Sequence, residues 1–351
     1  MTIRIGVIGA GRIGRLRAAT VHTHPQTTLA AVCDVNRGAA QAAAQGSTAV
    51  VCTTLDEFFA VPMDAVIVSS PVQMHEEQCL RAFALGQHVL CEKPLSNSTA
   101  SAERILAASV AAGKVLGVGF NLRFYPAMQY VREVVDAGTI GPIDHIRVFG
   151  GHDGLNNFTA DWQYKAPVSG GGAMMDVGIH ITDIARWFLG DVTDVYGVVT
   201  ENVWKVPGSE DNAMAIFRNA AGVSATYHAT WDEWQGYEVA IEVYGPKGMV
   251  RGAYAPMQAL LITHEKPGGP RTVVKKRYLD IAIREKLRSW TTTTQATFDG
   301  ELADWLRRMQ GGTGGALATG VDGVRSLQVR DAAVQSSATR QAVALPPLPV
   351  G

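Results

Sequence analysis

Through the first third of the chain, short apolar runs alternate with stretches of helical period. Ile3–Ile8, Leu29–Cys33, Ala49–Cys52, Asp64–Val68, His88–Cys91 and Val115–Val118 are near-continuous apolar segments of strand length. Between them, Arg15–His22, Leu55–Phe59, Met74–Leu85 and Thr99–Ala112 repeat apolar residues at helical spacing. Strands without polar alternation are covered on both faces, so the pattern predicts a doubly wound parallel sheet. After the helical Met128–Ala137 and a break at Gly138–Pro142, the pattern changes. Strand signals recur at Ile143–Phe149, Val195–Val199, Ala213–Phe217, Val223–Thr230, Glu238–Tyr244 and Gly248–Arg251, and short Gly, Asn or Pro linkers favour antiparallel pairing. Glu301–Met309 and Val321–Thr339 read as helices, Thr291–Thr294 and Gly311–Gly315 as loops, and Ala344–Gly351 as an extended tail.

One helical segment carries candidate chemistry. In Gly170-Gly171-Gly172-Ala173-Met174-Met175-Asp176-Val177-Gly178-Ile179-His180, the acid and the imidazole stand four residues apart. At about 100° per residue they fall on one helix face. Val177, Ile181, Ile184 and Phe188 form an apolar stripe, and Asp176, His180, Asp183 and Trp187 form a second one roughly a quarter turn away. Two readings fit this segment alone: a solvated helix edge, or a pair able to move a proton near neutral pH.

The chain has 351 residues, which is long for one core and points to two domains. Hydrophobic residues at 47%, charged residues at 18% and a net charge of −1 describe a globular chain, with no charge pattern for nucleic acid or an anionic membrane. No apolar run reaches the roughly 18 residues of a membrane helix. Met1–Gly9 reads as a strand entering a turn rather than as a signal peptide, so a cytoplasmic address is expected. Cys33, Cys52, Cys79 and Cys91 form no Cys-x-x-Cys pair and read as buried thiols. No His/Cys/carboxylate cluster has metal-ligand spacing, so no metal is expected.

The first strand leads directly into Gly9-Ala10-Gly11-Arg12-Ile13-Gly14 and then a helix, as a dinucleotide fingerprint requires. Gly9 permits the turn, Gly11 the approach of a pyrophosphate, and Gly14 close helix–strand packing. Asp34 ends the next strand twenty residues after Gly14, where a carboxylate accepts from the adenosine ribose. That carboxylate repels a 2′-phosphate and favours NAD over NADP, although Arg37, three residues on, is placed to offset it. Ser69-Ser70-Pro71 and Glu92-Lys93-Pro94 follow two further strands, at the edge where such sheets bind ligands. An ammonium fixed at Lys93 is suited to a substrate oxygen whose charge changes during hydride transfer.

Taken together, these motifs, with His75, Gly119-Phe120-Asn121-x-Arg123-Phe124 and Asp176-x-x-x-His180, resemble the glucose–fructose oxidoreductase/inositol dehydrogenase/MocA family. The resemblance runs from Met1 to about Leu189. It implies an α/β fold, with a Rossmann domain over 1–121 and, over 122–351, an α/β domain on a large, mostly antiparallel open sheet. It places Ser69, Ser70, Pro71, His75, Glu92 and Lys93 on the cofactor side and implies a cis bond before Pro94. It makes His180 the general acid/base, Asp176 its partner and a substrate contact, and Lys93 the group that touches the reacting hydroxyl. The implied activity is NAD-dependent hydride transfer at a secondary alcohol of a sugar, sugar derivative or cyclitol. The implied partners are that polyol and a second copy of the chain, in a homodimer or homotetramer through the second sheet.

The substrate residues are read from composition. His152, Asp153, Asn156, Asn157, Trp162 and Tyr164 lie between a strand and the glycine run, and Arg123 and Tyr125 follow the sixth strand. Polar groups interleaved with rings suit a hydroxyl-rich ligand, and taken singly each also fits an ordinary polar loop. Two other functions share these motifs: an NAD-retaining glycosidase or lyase working by transient oxidation, and a non-catalytic nucleotide-binding regulator.

Overall fold

The computed structural model describes residues 2–347, so the Leu348–Gly351 end of the expected extended tail lies outside the described residues. In chain order the strands are β1 (Ile3–Ile8), β2 (Thr27–Cys33), β3 (Val50–Cys52), β4 (Ala65–Val68), β5 (His88–Glu92), β6 (Leu116–Gly119), β7 (His145–Gly151), β8 (Asp194–Thr200), β9 (Asn212–Arg218), β10 (Ser224–Thr230), β11 (Glu238–Gly245), β12 (Gly248–Tyr254), β13 (Gln258–His264), β14 (Arg271–Arg277), β15 (Ala318–Thr319) and β16 (Val343–Ala344). They form two sheets.

The first sheet has the order β15-β6-β5-β4-β1-β2-β3, parallel except for β15. Its order reverses between β1 and β4, the switch point beyond whose carboxyl ends ligands bind in open α/β sheets. Burial on both faces explains the unbroken apolar runs: every residue of β4 is buried, as are the last four of β1.

The second sheet has the order β14-β13-β12-β11-β7-β10-β9-β8-β16 and is antiparallel except where β7 meets β10. Alternation along β9 turns Ala213, Ala215 and Phe217 inward and leaves Met214 and Ile216 half exposed. The helix Val177–Leu189 packs on β7 and β10, and Gly150 makes room for Ile181 and Val177. Strands β13 and β14 and the helix Leu279–Arg288 have no counterpart in the sequence reading. The apolar residues of β14 and this helix are largely exposed, and those of β13 are mostly half-buried without alternation, so burial left little periodic signal there.

The chain divides into two compact units: Met1–Phe124 with Arg288–Val324, and Tyr125–Leu287 with Arg325–Gly351. The expected cut after residue 121 therefore misses a return of the chain. The helix Thr291–Met309 packs on the first unit, where Leu302, Trp305 and Leu306 share a core with Val7, Ile67 and Leu90. It also begins earlier than expected: Thr293, Thr294 and Thr297 are buried helical residues, so the threonine run is not a loop. Among the described residues, no helix is long and apolar enough to cross a membrane.

Candidate active site

In the first unit, the turns after β1 and β4 touch. Gly9 has a φ of 89°, and a Cβ there would lie 2.5 Å from the Ser69 carbonyl oxygen. A Cβ on Gly14 would meet the Gly9 carbonyl at 1.8 Å, so helix and turn pack at backbone contact. At Gly11, by contrast, an added Cβ meets nothing within 4 Å. The helix that Gly11 opens, Arg12–Thr23, has no side-chain cap and no acidic residue in its first turn. Uncapped N–H groups at the positive end of a helix, beside open space, fit a pyrophosphate. Asp34 Oδ2 accepts from the Ala10 amide at 2.7 Å and Oδ1 from the Asn36 amide at 2.8 Å. That carboxylate is thereby held against the glycine turn, as ribose recognition requires. Arg12 and Arg37 are exposed and Ile13 is half-buried; the Arg12 guanidinium lies 5.0 Å from the Trp290 ring centre. These residues fit a dinucleotide.

Ser69, Ser70 and Pro71 form a half-buried loop beyond β4, and the Ser70 hydroxyl donates to Gln78 at 2.6 Å. His75, expected on the cofactor side, is 1% exposed and has another task. Its Nε2 lies 2.9 Å from the Ser70 carbonyl, and its Nδ1 lies 3.2 and 3.3 Å from those of Pro94 and Leu95. The ring thus straps the Ser70 loop to the segment after Lys93. Burial pushes its pKa down, which outweighs the opposing pull of those carbonyls. Lys93 is half-buried at the end of β5, and the Lys93–Pro94 bond is cis. Glu92 Oε1 beside it accepts from Arg17 Nε at 2.7 Å, and Arg17 Nη1 pairs with Glu301 Oε2 at 2.5 Å. Arg123 is also no open ligand group: it is 5% exposed and pairs with Asp322 at 3.5 Å.

In the second unit, Asp176 is the N-cap of the helix Val177–Leu189 rather than a residue within it. The helix is buried nearly all round, Asp183 and Thr182 included, which counts against the reading of this segment as a solvated edge. His180 lies on this helix, 9% exposed. The Asp176 carboxylate is gripped by groups from elsewhere. The Gly154 amide donates to His152 Nδ1 at 3.1 Å, which leaves the ring proton on Nε2. That Nε2 donates to Asp176 Oδ2 at 2.6 Å, and Trp231 Nε1 approaches the same oxygen at 3.4 Å. His152 was expected to touch substrate; here it orients the acid. Asn157 approaches His152 Nδ1 at 3.2 Å and also bonds Asp153. Asn156 and Trp162 are exposed, and the Tyr164 hydroxyl donates to Asp161 at 2.7 Å. Tyr125 is buried edge-on against Tyr254, with ring centres 4.9 Å apart. Glu210 and Arg17 also shape these two regions and were not among the sequence candidates. A buried acid or arginine whose partners are distant in sequence leaves no local signature.

Comparison with known proteins accords with both halves. Residues 3–120 match the oxidoreductase family with an NAD-binding Rossmann fold, and residues 128–251 match the GFO/IDH/MocA C-terminal domain. The inositol 2-dehydrogenase of Rhizobium meliloti (strain 1021) is 28% identical over 357 residues, covering 98% of this chain and 100% of that protein. The 1,5-anhydro-D-fructose reductase of Ensifer adhaerens is 31% identical, covering 97% of each. Among solved structures, levoglucosan dehydrogenase in complex with NADH shares the fold at a TM-score of 0.87 and 20% identity, covering 99% of this chain and 100% of that one. With both halves matched, the chain belongs to the GFO/IDH/MocA family of NAD-binding oxidoreductases.

Proposed function

We propose that this protein is an NAD-dependent dehydrogenase acting on a secondary alcohol of a sugar, sugar derivative or cyclitol. The observation that carries the reading is Asp176: a carboxylate oriented by His152 and Trp231, at the N-terminus of the helix that bears His180. When bound, NAD supplies the hydride acceptor. His180 takes the hydroxyl proton as the C–H bond breaks, so alcohol becomes ketone and the proton leaves through the imidazole. Asp176 holds the substrate hydroxyls, and the Lys93 ammonium stabilises the negative charge that develops on the reacting oxygen. Burial of His180 limits competing water. The relatives' names, inositol 2-dehydrogenase and 1,5-anhydro-D-fructose reductase, support the polyol class.

Asp34 supports NAD over NADP, with exposed Arg37 the residue that opposes it. A panel of inositols and monosaccharides, assayed with NAD and with NADP at the reduced-nicotinamide absorbance, is expected to give turnover with NAD and one polyol group. Substrate consumption without net NADH would replace the reading by cofactor-retaining elimination, and no turnover of any member would remove it.

We infer further that a second copy covers the open face of the second sheet. Tyr196, Val198, Met214 and Ile216 project from β8 and β9, each at least 44% exposed, a run of apolar surface that a lone chain would leave in water. A solution mass equal to one chain at micromolar concentration would remove this part of the proposal.

A further inference from the structure

Glu210 lies two residues before β9, in Ser209-Glu210-Asp211, and is 6% exposed. All of its acceptors are turned to the glycine run that leads to Asp176. Glu210 Oε2 accepts from the Gly172 amide at 3.1 Å, its backbone carbonyl from the Ala173 amide at 2.7 Å, and Oε1 from the Met174 amide at 2.9 Å. One residue thus satisfies three consecutive N–H groups of the turn that precedes a helix, where intrahelical partners are lacking. The approach is close enough to dictate sequence on the other side. A Cβ at Gly172 would lie 2.0 Å from the Glu210 carbonyl oxygen.

The neighbouring acid anchors the segment whose Trp231 ring reaches Asp176. Asp211 is 1% exposed, and its Oδ2 accepts from the Val203 and Trp204 amides at 2.7 and 2.9 Å. Its backbone carbonyl accepts from the Trp231 amide at 2.7 Å, and Trp204 Nε1 donates to the Trp231 carbonyl at 3.1 Å. Trp231 in turn presents its indole N–H to Asp176. The backbone that delivers Asp176 and the ring that orients it are therefore both anchored on one dipeptide.

We propose that Glu210 is a positioning residue for Asp176: it contacts no substrate and fixes where the Asp176 carboxylate stands. The proposal rests on the reading of Asp176 as a substrate-binding acid. Both side-chain oxygens accept from amides, so the role needs a carboxylate and not merely its shape. An isosteric amide would set its own N–H₂ against one of those N–H groups. A purely space-filling role would survive that change.

The test is Glu210→Gln, read in two ways. Hydrogen–deuterium exchange on the substrate-free protein is expected to speed up across residues 170–176 by about tenfold or more, the factor that loss of one hydrogen bond to a charged group gives. In turnover of the best polyol, kcat/KM is expected to fall about tenfold or more, because small misplacements of a catalytic group carry costs of that order. The Kd for NADH should stay within about twofold, since Asp34 and the glycine turn are untouched. Unchanged exchange over 170–176 overturns the proposal, and so does an equal loss of NADH affinity. If Glu210→Gln does not fold, Glu210→Asp, which keeps the charge one carbon short, is put through both readings. Because the exchange experiment needs no substrate, a wild-type protein that oxidises no polyol would remove the proposed function while still deciding this one.

Discussion

Replacing His180 by alanine is expected to lower kcat for the best polyol by two to four orders of magnitude, the range that a positioned general acid–base contributes. The imidazole lies on a helix buried nearly all round, with Ile179, Ile181, Thr182 and Asp183 all shielded. The Kd for NADH should be unchanged, because the phosphate and ribose contacts are expected at Gly9–Gly14 and Asp34. Stopped-flow detection of the first turnover separates loss of the proton-transfer step from slow product release. A variant whose first-turnover rate lies within threefold of wild type would remove His180 from the chemistry. Asp176→Asn makes the companion measurement. Its amide keeps the shape that His152 and Trp231 surround but not the charge, so a fall in kcat/KM without loss of folding would tie the acid to substrate rather than to structure.

The reach of the sequence differs between the two units for physical reasons. The β1 turn was legible in full because each of its glycines answers a local geometric demand. Gly9 has a positive φ, Gly14 meets a carbonyl at backbone contact, and Gly11 faces open space. Strands β1, β2, β4, β5 and β6 were legible because burial on both faces writes apolar residues at consecutive positions. The helix Val177–Leu189 was only partly legible, because periodicity alone left a solvated edge and a working face both open, whereas Asp183 and Thr182 are wholly buried and His152 reaches Asp176 from just after β7. Long-range polar pairing has no period. The helix Thr291–Met309 is apolar at Phe298, Leu302, Trp305 and Leu306, plainly amphipathic, yet nothing in that spacing says which sheet it covers. The residues that orient others, Glu210 and Arg17 among them, were invisible because acids in turns and arginines in helices are the commonest solvated residues.

Arg17 carries the largest expected effect on stability. The guanidinium is 1% exposed, lies 3.5 Å from the Phe298 ring centre, and is shared by Glu92 and Glu301. Burial alone would lower its pKa, but the two carboxylates overcome this and hold it above the ordinary arginine value. The three groups together carry one net negative charge. Arg17→Met leaves two carboxylates facing each other with no cation, and Glu301 is wholly buried. Breaking a buried pair from one side typically costs about 3–5 kcal/mol, most of it the penalty of the charge left behind. The first unit should therefore unfold at markedly lower urea, with NADH binding lost in the same transition. Two units need not unfold together, so NADH binding is the readout that isolates this one. Adding Glu301→Gln to Arg17→Met restores the original net charge and leaves only Glu92, which at 13% exposure retains some access to water. The double variant is expected to regain a large part of the lost stability. If Arg17→Met moves the midpoint by less than about 1 kcal/mol, or the second substitution makes it worse, desolvated charge is not what this triad balances.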